Sequence, residues 1–223
     1  MAQTLLDVPK VRLYQDSLFH KRAGDGSTPW HSDARMAPFD TSHMITFWIP
    51  LQSIARPEDG GTGLYFVDKS HLDFALPFWN RVPVGNIGDE EYHLECGGEY
   101  DRLDERYGGG EGIKNYMPLA VGDCTIHAGW TLHSANEGMG SEDLNGSSAK
   151  GGQQTQYRYA LAVTFVDAMA EVREDVVASS STQGLGHNED RRSFQNWIRD
   201  IKPREYFEHP LVPVVCTPIH GAY

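Results

Sequence analysis

MITFWIPLQ, residues 44–52, is the stretch on which the reading of the fold turns. Ile45, Phe47, Ile49 and Leu51 fall on one face of an extended backbone, and Thr46, Trp48 and Gln52 fall on the other. That period of two reads as β-strand rather than helix. The same pattern spreads outward on both sides. Upstream, VRLYQDSLFHKR (11–22) alternates Val11, Leu13, Ser17 and Phe19 with polar neighbours. Downstream come GLYFVD (63–68), GDCTIHA (122–128), TLHSAN (131–136) and YRYALAVTFVD (157–167), parted by Gly-rich turns. Short strands with turn signals between them imply an all-β sandwich or barrel.

Three regions break the pattern within what reads as one domain, 1–223, with a core over 11–167. Residues 69–115 form a long insertion, acidic and rich in glycine. Residues 137–156, EGMGSEDLNGSSAKGGQQTQ, form a second polar one. Loops of such length are usually lids, binding loops or disordered insertions. The C-terminal extension, 168–223, predicts a helix near 189–201, with Asn188 as N-cap and Phe194, Trp197, Ile198 and Ile201 along one stripe. That stripe is expected to pack on the outside of the barrel. GGGEG (108–112) lacks the strand-turn-helix setting of a phosphate loop and reads as a turn.

Composition narrows the function. A formal charge of -12 argues against a nucleic-acid surface, which needs clustered Lys and Arg. No apolar stretch of membrane-spanning length occurs, so no membrane span is expected. The N-terminus lacks the cationic and apolar regions of a signal peptide, so an intracellular, cytoplasmic protein is expected. Cys96, Cys124 and Cys216 are too few and scattered for a disulfide framework or a zinc ribbon, and read as reduced thiols. Asn145-Gly146-Ser147 matches a glycosylation sequon that has no secretory context.

Just before the opening strand, PWHSDARMAPF (29–39) sets His31 two residues from Asp33. On an extended segment, residues i and i+2 share a face, so the imidazole and the carboxylate would aim at one point. About one such triplet is expected by chance in a chain of this composition, and a second does occur at His71-Leu72-Asp73. A ferrous ion suits two imidazoles and one carboxylate on one face, with three positions left open. GDCTIHAGWTLHSAN (122–136) offers His127 and His133 as the second imidazole, with Gly129-Trp130 turning the chain between them. In YRYALAVTF, Arg158 shares its face with Ala160, Ala162 and Thr164. Small residues beside a guanidinium leave space for a ligand carboxylate, although an arginine alone would read as a surface ion pair.

The order WHSD, FWIPL, GTGLYFVDKSH, GDCTIHAGWTLHSAN and YRYALAVTF resembles the phytanoyl-CoA dioxygenase family of Fe(II)/2-oxoglutarate oxygenases over residues 11–167. The resemblance implies a double-stranded β-helix, or jelly roll, with a few peripheral helices and long loops. It implies His31, Asp33 and His133 as iron ligands and as the catalytic set. It further implies Arg158 on the distal carboxylate of 2-oxoglutarate and Trp48 against the same co-substrate. Lys21 and, more weakly, Ser17 would lie nearby; the plain alternative for Lys21 is a solvated strand end. His71 falls in a Gly/Ser-His turn that holds no metal in the family. His127 would pack or hydrogen-bond near the site, and His43 would be structural or exposed.

The sequence departs from the family in three places. Only about ten residues precede the first strand, the His133-to-Arg158 gap is lengthened by 137–156, and Ala135 stands where relatives often have serine. With Fe(II), 2-oxoglutarate and molecular oxygen, the implied reaction is hydroxylation of a small-molecule substrate coupled to oxidative decarboxylation. Asp33 favours hydroxylation over halogenation, because related halogenases carry a small residue there. Rival readings are a jelly-roll protein that binds a small acid without turnover and a cupin-type metal hydrolase or isomerase. A nucleophilic hydrolase is disfavoured by the lack of G-x-S-x-G. The sequence leaves the oligomeric state open.

Overall fold

The alternation at 44–52 becomes a central strand in the computed structural model, which describes residues 1–22, 25–73, 107, 112–135, 157–174, 194 and 196–216. In chain order the elements are α1 (Ala2–Leu6), β1 (Val11–Arg22), β2 (Thr28–His31), α2 (Asp33–Met36), β3 (Phe39–Asp40), β4 (Met44–Pro50) and β5 (Leu64–Val67). Then follow β6 (Ile113–Asn115), β7 (Thr125–Ala128), β8 (His133–Ala135), β9 (Tyr157–Asp167), β10 (Glu171–Val172) and β11 (Val214–Cys216). The larger sheet runs β11-β1-β9-β4-β7 and the smaller β2-β8-β5-β6, with β10-β3 as a separate pair. Every pairing between these strands is antiparallel. The chain crosses repeatedly between the two larger sheets, and its first and last long strands, β1 and β9, lie side by side. This is the double-stranded β-helix.

Register decides which side chains face inward. Across β1 and β9, Ser17 lies opposite Ala162, Phe19 opposite Ala160 and Lys21 opposite Arg158. Across β9 and β4, Thr164 meets Thr46 and Ala162 meets Trp48; across β4 and β7, Thr46 meets His127. Directly opposed residues share a face, so one surface of the larger sheet carries Ser17, Lys21, Thr46, Trp48, His127, Arg158 and Thr164. The register of β1 slips at Tyr14, which acts as the extra residue of a bulge. Val11 and Leu13 therefore face away from the surface that Ser17 and Phe19 share, although all four fit one alternation in the sequence.

The outward face buries Val11, Ile45 and Phe47 against Ala2, with Leu6, Val8, Ile49 and Phe165 packed alongside. The short helix α1 thus covers part of the larger sheet. On the inward face, Met44 and Val166 sink into a cluster with Tyr14, Phe39, Phe194, Trp197, Ile198, Ile201 and Phe207. The described part of the C-terminal segment accordingly closes one end of the sandwich from the inward side, and does not pack on its outer surface. Its local structure is a 3-10 turn at Ile198–Asp200; residues 189–193 of the expected helix lie outside the described residues. Most of the two insertions lie outside them too. Ile113–Asn115, assigned from sequence to the first insertion, is a strand of the smaller sheet.

Candidate metal centre

His31 and Asp33 converge by a route the sequence did not suggest. His31 is the last residue of β2, but Asp33 is the first residue of α2, after an extended Ser32. The change from strand to helix, rather than strand alternation, turns the carboxylate toward the imidazole. Two backbone bonds hold the break in place. The Ala34 N–H donates to the Gly129 carbonyl at 2.8 Å, and the Gly129 N–H donates to the Met44 carbonyl at 2.8 Å. A Cβ on Gly129 would stand 2.7 Å from the Met44 Cβ, so the close approach requires glycine. The turn at 129–130 then returns the chain so that His133 lies opposite His31 in the β2–β8 ladder.

The side chains meet at one oxygen. Asp33 Oδ1 is 3.8 Å from His31 Nε2 and 3.7 Å from His133 Nε2. One ligand atom from each of His31, Asp33 and His133 lies within 4.8 Å of the other two. Nδ1 of His31 sits 2.8 Å from the Pro29 carbonyl, and Nδ1 of His133 sits 3.0 Å from the Thr131 carbonyl. A carbonyl only accepts, so each Nδ1 carries its proton and each Nε2 presents a lone pair to the cluster. The other carboxylate oxygen, Oδ2, accepts from the Thr46 hydroxyl at 2.6 Å and lies 3.2 Å from His127 Nε2.

Protonation states suit ligation. Burial pushes His133 down to about 3, so its imidazole is neutral at physiological pH. Burial by itself would raise the Asp33 carboxyl. The His127 hydrogen bond, the adjoining imidazoles and the Thr46 hydroxyl outweigh that and hold it well below the ordinary carboxylate range. One anionic oxygen and two neutral imidazole nitrogens on a common face form the donor set a ferrous ion takes with positions left open. The residues fit that metal.

The second half of the site lies on the inward face of the larger sheet. Arg158 is buried, its guanidinium 5.2 Å from the centre of the Trp48 ring. One amino group donates to the Thr62 carbonyl, and Nε has no hydrogen-bond partner. Burial pushes the group down to about 10, and no carboxylate among the described residues pairs with it. A buried guanidinium in that condition suits an incoming carboxylate. Six residues, about 20 Å of strand, separate Arg158 from Thr164. Only Ala160 and Ala162 occupy the face between them, and the long arginine side chain shortens the span. Trp48, Leu64, Phe66, Met117 and Ala135 pack around this strip.

Lys21 is buried directly opposite Arg158. Ser17 stands two pairs further in, its hydroxyl accepting from Gln15 Nε2 at 2.8 Å. The remaining histidines separate cleanly. His71 is exposed in a 3-10 turn, and His43 is exposed just before β4. His127 is buried beside Asp33 but does not join the three-residue cluster. Thr46 and Thr164, whose hydroxyls are 3.0 Å apart, were not singled out from the sequence. Their places on the faces that carry Trp48 and Arg158 were the available signal.

A profile of the phytanoyl-CoA dioxygenase (PhyH) family matches residues 2–142, more than half of the chain. The chain belongs to that family. Membership places it among the Fe(II)/2-oxoglutarate-dependent oxygenases. The match ends before β9, so the placement of Arg158 rests on geometry. No curated protein matches the sequence. Among solved structures, the α-ketoglutarate-dependent carbocyclase SnoK of nogalamycin biosynthesis aligns with a TM-score of 0.56 at 20% identity, covering 96% of this chain and 66% of its own. The epimerase SnoN of the same biosynthesis gives 0.55 at 21%, covering 96% and 67%. EctD from S. alaskensis, with 2-oxoglutarate and 5-hydroxyectoine, gives 0.50 at 16%, covering 77% and 49%. At these identities the likeness shows the jelly-roll fold. The chain spans about two thirds of the length of SnoN and SnoK and half that of EctD. Among the described residues no helix is long and apolar enough to cross a membrane.

Proposed function

We propose that the protein hydroxylates a small-molecule substrate, holding Fe(II) through His31 Nε2, Asp33 Oδ1 and His133 Nε2 and using 2-oxoglutarate as co-substrate. The observation that carries this reading is the pairing of two groups across the sandwich. A carboxylate oxygen lies between two imidazole nitrogens held by β2, α2 and β8, and the inward face of the larger sheet carries, beyond a strip of alanines, a buried arginine with no acidic partner among the described residues. Bound iron would supply the redox chemistry that couples decarboxylation of 2-oxoglutarate by dioxygen to oxidation of a substrate C–H bond.

The chain's own residues bind and orient. Arg158 would take the distal carboxylate of 2-oxoglutarate through its fork of donors, with Trp48 stacked beneath the guanidinium. Lys21 would add a second positive charge opposite it, and Ser17 would lie along the same wall. Phe66, with its ring centre 5.3 Å from that of His127 and 6.0 Å from that of His133, keeps an apolar surface against the histidines. Asp33 supplies a carboxylate where a small residue would leave a position for halide, which favours a hydroxyl product. SnoN and SnoK, named as an epimerase and a carbocyclase, make product analysis part of the test.

Under nitrogen, the protein with Fe(II) and 2-oxoglutarate should develop a visible metal-to-ligand charge-transfer band. His133→Ala should abolish the band, and Arg158→Ala should shift its 2-oxoglutarate dependence to far higher concentration. If no band forms, or if both variants titrate as the parent does, the proposal is wrong. Succinate formation with a panel of candidate metabolites then identifies the substrate, and mass analysis of the product checks for a gain of one oxygen.

A further inference from the structure

The two oxygens of Asp33 live in different surroundings. Oδ1 faces His31 and His133; Oδ2 accepts from Thr46 at 2.6 Å and lies 3.2 Å from His127 Nε2. Thr46 and His127 sit opposite each other on β4 and β7, on rigid strands of the larger sheet. Thr164, opposite Thr46 on β9, stands 3.0 Å behind its hydroxyl. His127 is buried and its Nδ1 has no partner among the described residues, so no described group on that side competes for the ring. The proton is therefore best placed on Nε2, where Asp33 accepts it.

We propose that Thr46 and His127, backed by Thr164, are positioning residues that reserve Oδ2 and confine Asp33 to binding the metal through Oδ1 alone. This rests on the ligand set proposed above. A carboxylate free to turn would present both oxygens and occupy one more position at the ion. It would also lose the orientation that sets Oδ1 between the imidazoles. Two donors on Oδ2 prevent both, and they do so before any metal arrives. His127 is not one of the three residues whose ligand atoms cluster, although its ring centre lies 4.4 Å from that of His133. Its buried place beside Asp33 is accounted for by the hydrogen bond.

The test measures metal binding to the metal-free protein, using Co(II) as probe, with affinity taken by competition against a chelator and coordination read from the visible Co(II) spectrum. Thr46→Val and His127→Phe should each weaken Co(II) binding about 10- to 100-fold and alter the spectrum. Thr46→Ser and His127→Gln, which keep a donor, should restore most of the affinity and the parent spectrum. Thr164→Val should cost less than either. If Thr46→Val and His127→Phe bind Co(II) as the parent does with an unchanged spectrum, the positioning role is refuted while the ligand set stands. Equal losses in the donor-keeping and donor-removing variants would refute it as well, as a packing effect. If the parent itself does not bind Co(II), or His31→Ala binds it equally well, the ligand set fails instead. Should His127→Phe lose cooperative thermal unfolding, the near-isosteric Thr46→Val against Thr46→Ser decides alone.

Discussion

Two arginines lie buried on the inward face of neighbouring strands, and they teach opposite lessons. Arg12, on β1 opposite Val166, is fully buried at the closed end. It donates to the carbonyls of Val212, Ala168 and Phe207 at 2.7 to 2.9 Å, with its guanidinium 4.1 Å from the centre of the Phe207 ring. Burial lowers its pKa, but Tyr206, Glu208 and Asp167 oppose that shift. Among the described residues, Arg158, near the other end of β9, meets one carbonyl and one aromatic ring and no opposing charge. The first arginine finds its partners within the fold and ties the C-terminal segment down. The second has no acidic partner among the described residues, which is what the proposed role in holding 2-oxoglutarate requires. Burial alone does not separate a structural charge from a functional one; the surrounding acceptors do.

Exchanging each guanidinium for a neutral side chain should break that comparison apart. Arg12→Ala leaves three buried carbonyls without a donor, at about 1–3 kcal/mol for each, and should cost about 3 kcal/mol or more of stability, read by urea unfolding of the metal-free protein. Arg158→Met removes an uncompensated buried charge, so the metal-free protein should unfold at or above the parent's midpoint. Its affinity for 2-oxoglutarate, measured by calorimetry on metal-loaded protein, should fall about 100-fold, equivalent to about 3 kcal/mol of charge-assisted hydrogen bonding. Equal loss of stability in both variants would mean that Arg158 is structural too.

Much of the fold was legible in the sequence because burial on one face imposes a period of two. MITFWIPLQ and YRYALAVTFVD became β4 and β9 nearly to the residue. What escaped was whatever that period does not encode. The bulge at Tyr14 swaps the faces of β1 midway, and no residue type announced it. Asp33 sits on a helix rather than a strand, since the Ala34–Gly129 bond that fixes it joins distant segments. The proposed ligand residues were legible as a spaced set, whereas Thr46 and Thr164 look like ordinary strand threonines until the register brings them to Asp33. Trp197 and its neighbours announced an apolar stripe without saying which side of the sheet it would cover.

The metal centre should also differ from the closed end in its response to acid. His133 is pushed down to about 3 from an ordinary value near 6.5. Between those pH values the unfolded chain binds a proton that the native site refuses. Stability therefore drops as pH falls through that window, by at most about 1.4 kcal/mol per unit. The depressed Asp33 pKa adds loss of the same sign at lower pH still, below its ordinary unfolded value. Metal-free parent and His133→Gln, compared at pH 6.5 and 5.0 by urea unfolding, should differ by about 1.6 kcal/mol in their acid loss, the variant losing less. Parallel behaviour would show that His133 is protonated in the native protein. Lys21→Met, which removes the second cation of the pair facing the alanine strip, should weaken 2-oxoglutarate about tenfold, the worth of one charge-assisted hydrogen bond.

Ser17 would mark the lower limit of the proposed site. Its hydroxyl lies on the inward face opposite Ala162 but already accepts from Gln15, with its own proton left to donate. A neutral hydroxyl contributes about 0.5–1.5 kcal/mol net when it bonds a ligand, and here part of its capacity is committed to the chain. Ser17→Ala should therefore change 2-oxoglutarate affinity by less than about threefold, toward the low end of that range. Gln15→Ala, which frees the hydroxyl, should leave affinity equal or slightly improved. A tenfold loss in Ser17→Ala would instead put the serine in direct contact with the co-substrate. The anion site would then extend from Arg158 along the full inner edge of β1 and would not end at the Lys21–Arg158 pair.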